Sequence, residues 1–145
     1  DELVREYDIK LAIHNHGTGT VYGDPATVKA VLTKRDRRIG VCLDVGWVTG
    51  AGFDAAEVFR SYGDRVFDIH LKDKKIEIAA DGAKVVIDTV VGTGATNFAG
   101  LFAAIKETNW SGVMAVETGR KPLTANPDTQ VAAAVAVFET RTSGK

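Results

Sequence analysis

An α/β fold built of parallel βα units is what this sequence predicts, and three observations predict it. Four short, largely apolar runs have the length and character of buried strands: Ile9 to Ile13, Ile39 to Val45, Val66 to Leu71 and Val113 to Glu117. The segments between them carry helix-start residues followed by apolar positions at helical spacing. Strands alternating with helices imply parallel pairing through right-handed crossovers.

The elements follow in order. Residues Asp1 to Tyr7 set Leu3 and Val4 among charges, as in the last turns of an amphipathic helix, and the first strand starts at Ile9. Asp24-Pro25 reads as an N-cap with proline at the first helical position, opening a helix to about Lys34 with Val28, Val31 and Leu32 facing inward. After the second strand, Asp54 caps a helix through Val58 and Phe59 that stops at Tyr62-Gly63. The third strand, Val66 to Leu71, is followed by a break in the rhythm over about residues 74–91. There Ile76-Glu-Ile78 and Lys84-Val-Val-Ile87 flank an Asp81-Gly82 turn, which predicts a β-hairpin. Gly92-Thr-Gly94 leads into a helix from Phe98 to about Thr108, capped by Thr96 or Asn97. A last helix, Pro127 to about Thr140, starts from Asn126-Pro127. Four βα units make either a small open sheet or half of a (βα)8 barrel.

With 145 residues, 45% hydrophobic content and a net charge of -1, the chain suffices for one domain, taken as residues 1–145. The near-neutral balance speaks against nucleic acid as a partner, and the one dense basic run, Lys34-Arg-Asp-Arg-Arg38, reads as the solvated end of a helix. No apolar run is long enough to span a membrane, and Cys42 alone allows no internal disulfide, so a cytoplasmic origin is expected. Opening on Asp1 rather than Met is read as the mark of a processed or truncated product.

Each strand closes on a residue ill suited to a core and well suited to a metal. His14 and His16 close the first, Asp44 the second, His70 the third and Glu117 the fourth. In a parallel sheet the carboxyl ends of the strands share one side, so these donors converge. Imidazoles mixed with carboxylates suit Mn, Zn, Fe or Co with positions left open for substrate oxygens. Taken singly, each is as well read as a structural histidine or a turn-capping aspartate; their recurrence at four successive strand ends is what argues for a site. Lys72, two residues past His70, either binds a substrate hydroxyl or phosphate or belongs to a surface charge run. Trp47 and Phe53 either wall a sugar face or pack at the rim. Gly92-x-Gly94 fails the full dinucleotide fingerprint and reads as a tight turn.

Ile13-His-Asn-His-Gly17, Cys42-Leu-Asp-Val-Gly46, Asp68-Ile-His-Leu-Lys-Asp73, Gly92-x-Gly94 and Ala115-Val-Glu117 together resemble the sugar phosphate isomerase/epimerase family with the xylose isomerase-like TIM barrel. The resemblance covers nearly the whole chain. It implies the C-terminal half of a (βα)8 barrel with a β-hairpin inserted after the third strand. By resemblance, the metal ligands fall on Asp44, His70 and Glu117, with His14 where relatives usually carry glutamate and Trp47 where many carry histidine. The family's chemistry is proton transfer beside a carbonyl through an enediolate, aided by a divalent metal (Mn, Zn, Co or Mg). Glu117 and His16 would be its catalytic residues, and Lys72 and Trp47 its substrate contacts. The implied function is isomerisation or epimerisation of a sugar or keto sugar (phosphate). The alternatives are an inosose-type dehydratase, which His70-Leu-Lys-Asp73 resembles at least as closely, and a non-catalytic half-barrel. A DNA-repair endonuclease shares the fold but needs further His and Glu ligands and a basic face. Four βα units leave two open parallel edges, so a homodimer completing a barrel is expected.

Overall fold

A computed structural model describes residues 1–117 and 127–143. Its elements are α1 (Glu2–Glu6), β1 (Leu11–His14), α2 (Pro25–Thr33), β2 (Ile39–Asp44), α3 (Val45–Gly50), α4 (Ala55–Tyr62), β3 (Val66–Leu71), β4 (Asp73–Ile78), β5 (Lys84–Thr89), α5 (Phe98–Glu107), β6 (Val113–Val116) and α6 (Pro127–Thr142). The predicted βα order is present. The first strand starts at Leu11 rather than Ile9, and α3 is a short helix that periodicity alone did not mark.

Side-chain caps start α2, α4 and α5 where the sequence placed them. Asp24 accepts from the Ala26 N–H at 2.8 Å, with Pro25 at the first helical position. Asp54 accepts from Ala56 and Glu57, and Asn97, rather than Thr96, caps α5 through the Gly100 N–H. Asn126, expected before α6, lies outside the described residues. The basic run falls past the end of α2 instead of on its last turn. There Arg35 pairs with Asp1, Arg37 with Asp64, and Arg38 with Asp8 and Asp36. The carbonyls of Leu32, Arg35 and Asp36 are met by the Arg65 guanidinium instead.

The main sheet is parallel throughout, in the order β1-β2-β3-β6, and β4 and β5 form a separate antiparallel hairpin. Alternation along the strands divides the residues between two faces. Val41, Leu43, Ile69 and Leu71 turn to the helices and meet Val28, Val58, Phe59, Leu101 and Phe102 in the core. Leu43, Ile69, Leu101 and Phe59 are at most 2% exposed, and burying such a side chain contributes about 1.5–3 kcal/mol. A register shift between Val41 and Cys42 sets Val66 opposite Val41 and Asp68 opposite Cys42. The opposite face carries Ala12 and His14, Cys42 and Asp44, Asp68 and His70, and Ala115. None of the described helices is long and apolar enough to cross a membrane.

Candidate metal centre

Register delivers the donors to one place. His14 ends β1 beside Cys42, Asp44 ends β2 beside His70, and Glu117 follows β6 with its N–H donated to the Leu71 carbonyl at 3.2 Å. One ligand atom from each of His14, Asp44, His70 and Glu117 lies within 4.8 Å of the others. His14 Nε2 is 3.7 Å from Asp44 Oδ2 and 3.6 Å from Glu117 Oε2, and His70 Nδ1 is 2.8 Å from the same Oε2.

Asp44 is fully buried, and its two oxygens are divided between tasks. Oδ1 accepts from the Trp47 N–H at 2.8 Å and caps α3; Oδ2 is buried without a hydrogen-bond partner among the described residues. Asn15, between the two histidines, holds the Asp44 backbone from both sides: Oδ1 accepts from its N–H at 2.8 Å and Nδ2 donates to its carbonyl at 3.1 Å. Gly46 allows α3 to start so near β3, since a Cβ there would stand 2.9 Å from the Lys72 carbonyl carbon.

An uncompensated buried carboxylate oxygen is costly, and a cation among these four donors would satisfy it. The residues therefore fit a divalent metal. His14, Cys42 and His70 form an overlapping alternative triad. A thiol must ionise to ligate, and burial together with the carboxylates of Asp68, Asp44 and Glu117 pushes Cys42 up to about 12. The carboxylate-containing set is the better site. Nearby Asp44 is the largest cause of a raised His14 pKa, with Glu117 adding to it against the effect of burial. Burial alone would raise Glu117, but the Lys72 ammonium, 2.6 Å from Oε1, and His70 outweigh it and hold the carboxyl at about 2.

Of the other sequence candidates, Lys72 is buried and paired with Glu117, so it belongs to the cluster and not to the surface. Trp47 stacks on His16, with ring centroids 4.1 Å apart and planes at 35°, and His16 lies 6.2 Å from His14. Neither joins the ligand group. Phe53 is exposed. Sequence reasoning did not single out Asn15 or Lys74, and placed Asp73 only beside Lys72 in a surface charge pair. Asp73 is buried and accepts from the N–H groups of Lys74, Gly92, Gly94 and Thr96. Gly92-x-Gly94 is thus the anchor of an internal carboxylate: a Cβ on Gly94 would stand 2.5 Å from Asp73 Oδ1. The sequence signal available for Asp73 was its place directly after His70-Leu-Lys.

The profile of the xylose isomerase-like TIM barrel family matches residues 1–141. This chain belongs to that family. Inosose dehydratases from Clostridium perfringens (strain 13 / Type A) and Lacticaseibacillus casei are 32% and 29% identical to it over 136 and 137 residues. These cover 86% and 87% of this chain and 46% of each relative. This xylose isomerase-like chain spans about half the length of the curated relatives it matches. Among solved structures, the IOLI protein with a binding zinc atom superimposes with a TM-score of 0.75 at 20% identity, over 98% of this chain and 53% of that one. A xylose isomerase-like TIM barrel protein from Mycobacterium smegmatis in complex with magnesium gives 0.73 at 18% identity, over 98% and 47%. At such identities the likeness is one of fold.

Proposed function

We propose that this chain carries the metal-binding half of a divalent-metal-dependent enzyme that moves a proton at the carbon beside the carbonyl of a polyhydroxy ketone. The observation that carries this reading is the convergence of His14, Asp44, His70 and Glu117, with the Lys72 ammonium on Glu117. His14, Asp44, His70 and Glu117 would hold the cation, which when bound supplies Lewis-acid polarisation of a carbonyl. Glu117, held ionised, would face the cation through Oε2, and Lys72 can exchange its hydrogen bond to Oε1 for one to a substrate oxygen, which leaves Oε1 to accept the proton. His16, outside the ligand group and stacked on Trp47, is the second acid or base, and the indole walls the substrate side.

Isomerisation, epimerisation and dehydration all begin with this proton transfer. Sequence similarity to inosose dehydratases supports loss of water from a keto-cyclitol as the form it takes here. The reading also takes the chain to be cytoplasmic, and a second copy to cover its open β1 and β6 edges. Zinc titration and metal analysis of the purified chain test the site. Stoichiometric zinc is expected, with binding reduced at least tenfold in Asp44→Ala and in His70→Ala; a wild type that binds no zinc, manganese, cobalt or magnesium overturns the proposal. Incubation with a keto-inositol in D2O separates the reactions: elimination releases water, whereas epimerisation or isomerisation places deuterium beside the carbonyl with the hydroxyl count unchanged.

A further inference from the structure

The hairpin reaches the site through a buried cation. Lys74 is 2% exposed although it stands on a two-stranded ribbon, and its ammonium pairs with Asp88 directly across on β5. The same Nζ lies 3.5 Å from the centroid of the Trp47 ring, closer than Lys72 Nζ at 4.9 Å. The Lys74 backbone is fastened on both sides. Its N–H donates to Asp73 Oδ1 at 2.9 Å and its carbonyl accepts from Ala95 at 2.8 Å. Its stem also runs against α3, where a Cβ on Gly50 would stand 3.6 Å from Lys74 Cγ. A charge buried this deeply is tolerated only with partners, and among the described residues these are a carboxylate and the electron-rich face of an indole.

Lys74 is the nearer of the two ammonium groups over that indole. Trp47 Nε1 is buried without a hydrogen-bond partner among the described residues, so no directional bond fixes the ring. Gly17 leaves room for it, since a Cβ there would come within 2.8 Å of Trp47 Cε3. Its aromatic neighbour among the described residues is His16. We propose that Lys74, held by Asp88, is a positioning residue: its ammonium sets the angle of the Trp47 ring, and the ring in turn sets where His16 stands beside the candidate metal centre. The hairpin is thereby a support of the substrate side of the site. Its consequence for catalysis rests on the function proposed above, but the geometry can be read without it.

The test uses the metal-free chain at one fixed pH, following the two indole N–H signals and the His16 Cε1–H signal by NMR, each assigned with Trp47→Phe and His16→Gln. Trp110 is the internal reference, because its Nε1–H donates at 2.8 Å to the carbonyl of Val66, which starts β3, whereas the hairpin follows the end of that strand. In Lys74→Met, the Trp47 indole signal is expected to move and the His16 signal to lose the upfield shift of a ring stacked on indole, while Trp110 stays. Lys74→Arg is expected to restore both. The proposal is overturned if Trp110 is unchanged and His16 keeps its position, whether or not Trp47 moves. Should Lys74→Met shift Trp110 as well, the double variant Lys74→Met with Asp88→Leu removes the ion pair as a unit and is read by the same criteria. Zinc is absent from these measurements, so a chain that binds no metal overturns the proposed function alone, and an unmoved His16 overturns this inference alone.

Discussion

Asp44 shows how one side chain both builds and equips the site. Oδ1 caps α3, which leaves Oδ2 pointed at His14 with no other partner among the described residues. His14 feels the consequence in two opposite pH dependences. Its folded pKa is raised above 6.5 by Asp44 and Glu117, so its contribution to the stability of the metal-free chain is fully present below pH 6.5 and is lost as pH rises through the folded value. Metal needs the neutral imidazole, so affinity runs the other way. Zinc binding is expected to tighten from about pH 5.5 to about pH 8, measured by competition with a chelator, and His14→Gln should remove part of that dependence. Glu117, held at about 2, contributes none of it over this range. Asp73 offers a separate test of a buried residue. It gathers four backbone N–H groups, and Asp73→Ala leaves them without their acceptor. A loss of roughly 3 kcal/mol is expected, read from urea unfolding as a lower midpoint at an unchanged slope.

At the scale of elements, the strands act as rulers and the caps set the phase. Each strand end holds its ligand because parallel register fixes His14 beside Cys42 and Asp44 beside His70. The short helix α3 turns the chain away immediately after Asp44, and Gly46 permits that turn against β3. Gly46→Ala places a Cβ 2.8 Å from Lys72 Cγ and 2.9 Å from its carbonyl carbon, so α3 or β3 must shift. The expected cost is about 1–3 kcal/mol, accompanied by weaker zinc binding because Asp44 and Lys72 both border the displaced backbone. A substitution that lowered stability and left zinc affinity unchanged would separate α3 from the metal centre.

At the scale of the whole molecule, the sheet ends in two parallel edges, β1 and β6, that are unpaired among the described residues. Each is flanked by exposed apolar side chains: Leu11 and Ile9 at one edge, and Val113, Val135 and Phe138 at the other. Both edges run in the same direction, so a two-fold pairing of copies would join β6 of each to β1 of the other and close eight strands. Light scattering on the isolated chain is expected to give the mass of a dimer, and Val113→Lys to shift it toward monomer. A compact monomer at all concentrations would exclude that assembly.

Legible along the chain were the alternation of strands and helices apart from α3, the hairpin, three of the helix caps and the residues that end the four strands. These are local properties, carried by periodicity, turn chemistry and strand-end polarity. The sequence also marked His14, Asp44, His70 and Glu117, because parallel βα topology places strand ends on one side wherever they fall in the chain. Which polar residues near those ends belong to the cluster became legible only in the packed chain. Lys72 was equally readable as a surface charge until β3 and β6 placed it against Glu117. Gly92-x-Gly94 was readable as a simple turn until Asp73, some twenty residues earlier, proved to be what the loop is built around. Trp47, His16 and Lys74 come together from three separate segments. Pattern along the chain records periodicity, but partnership between distant side chains is settled by packing, where burial forces each charge and hydrogen-bonding group to find its neighbour.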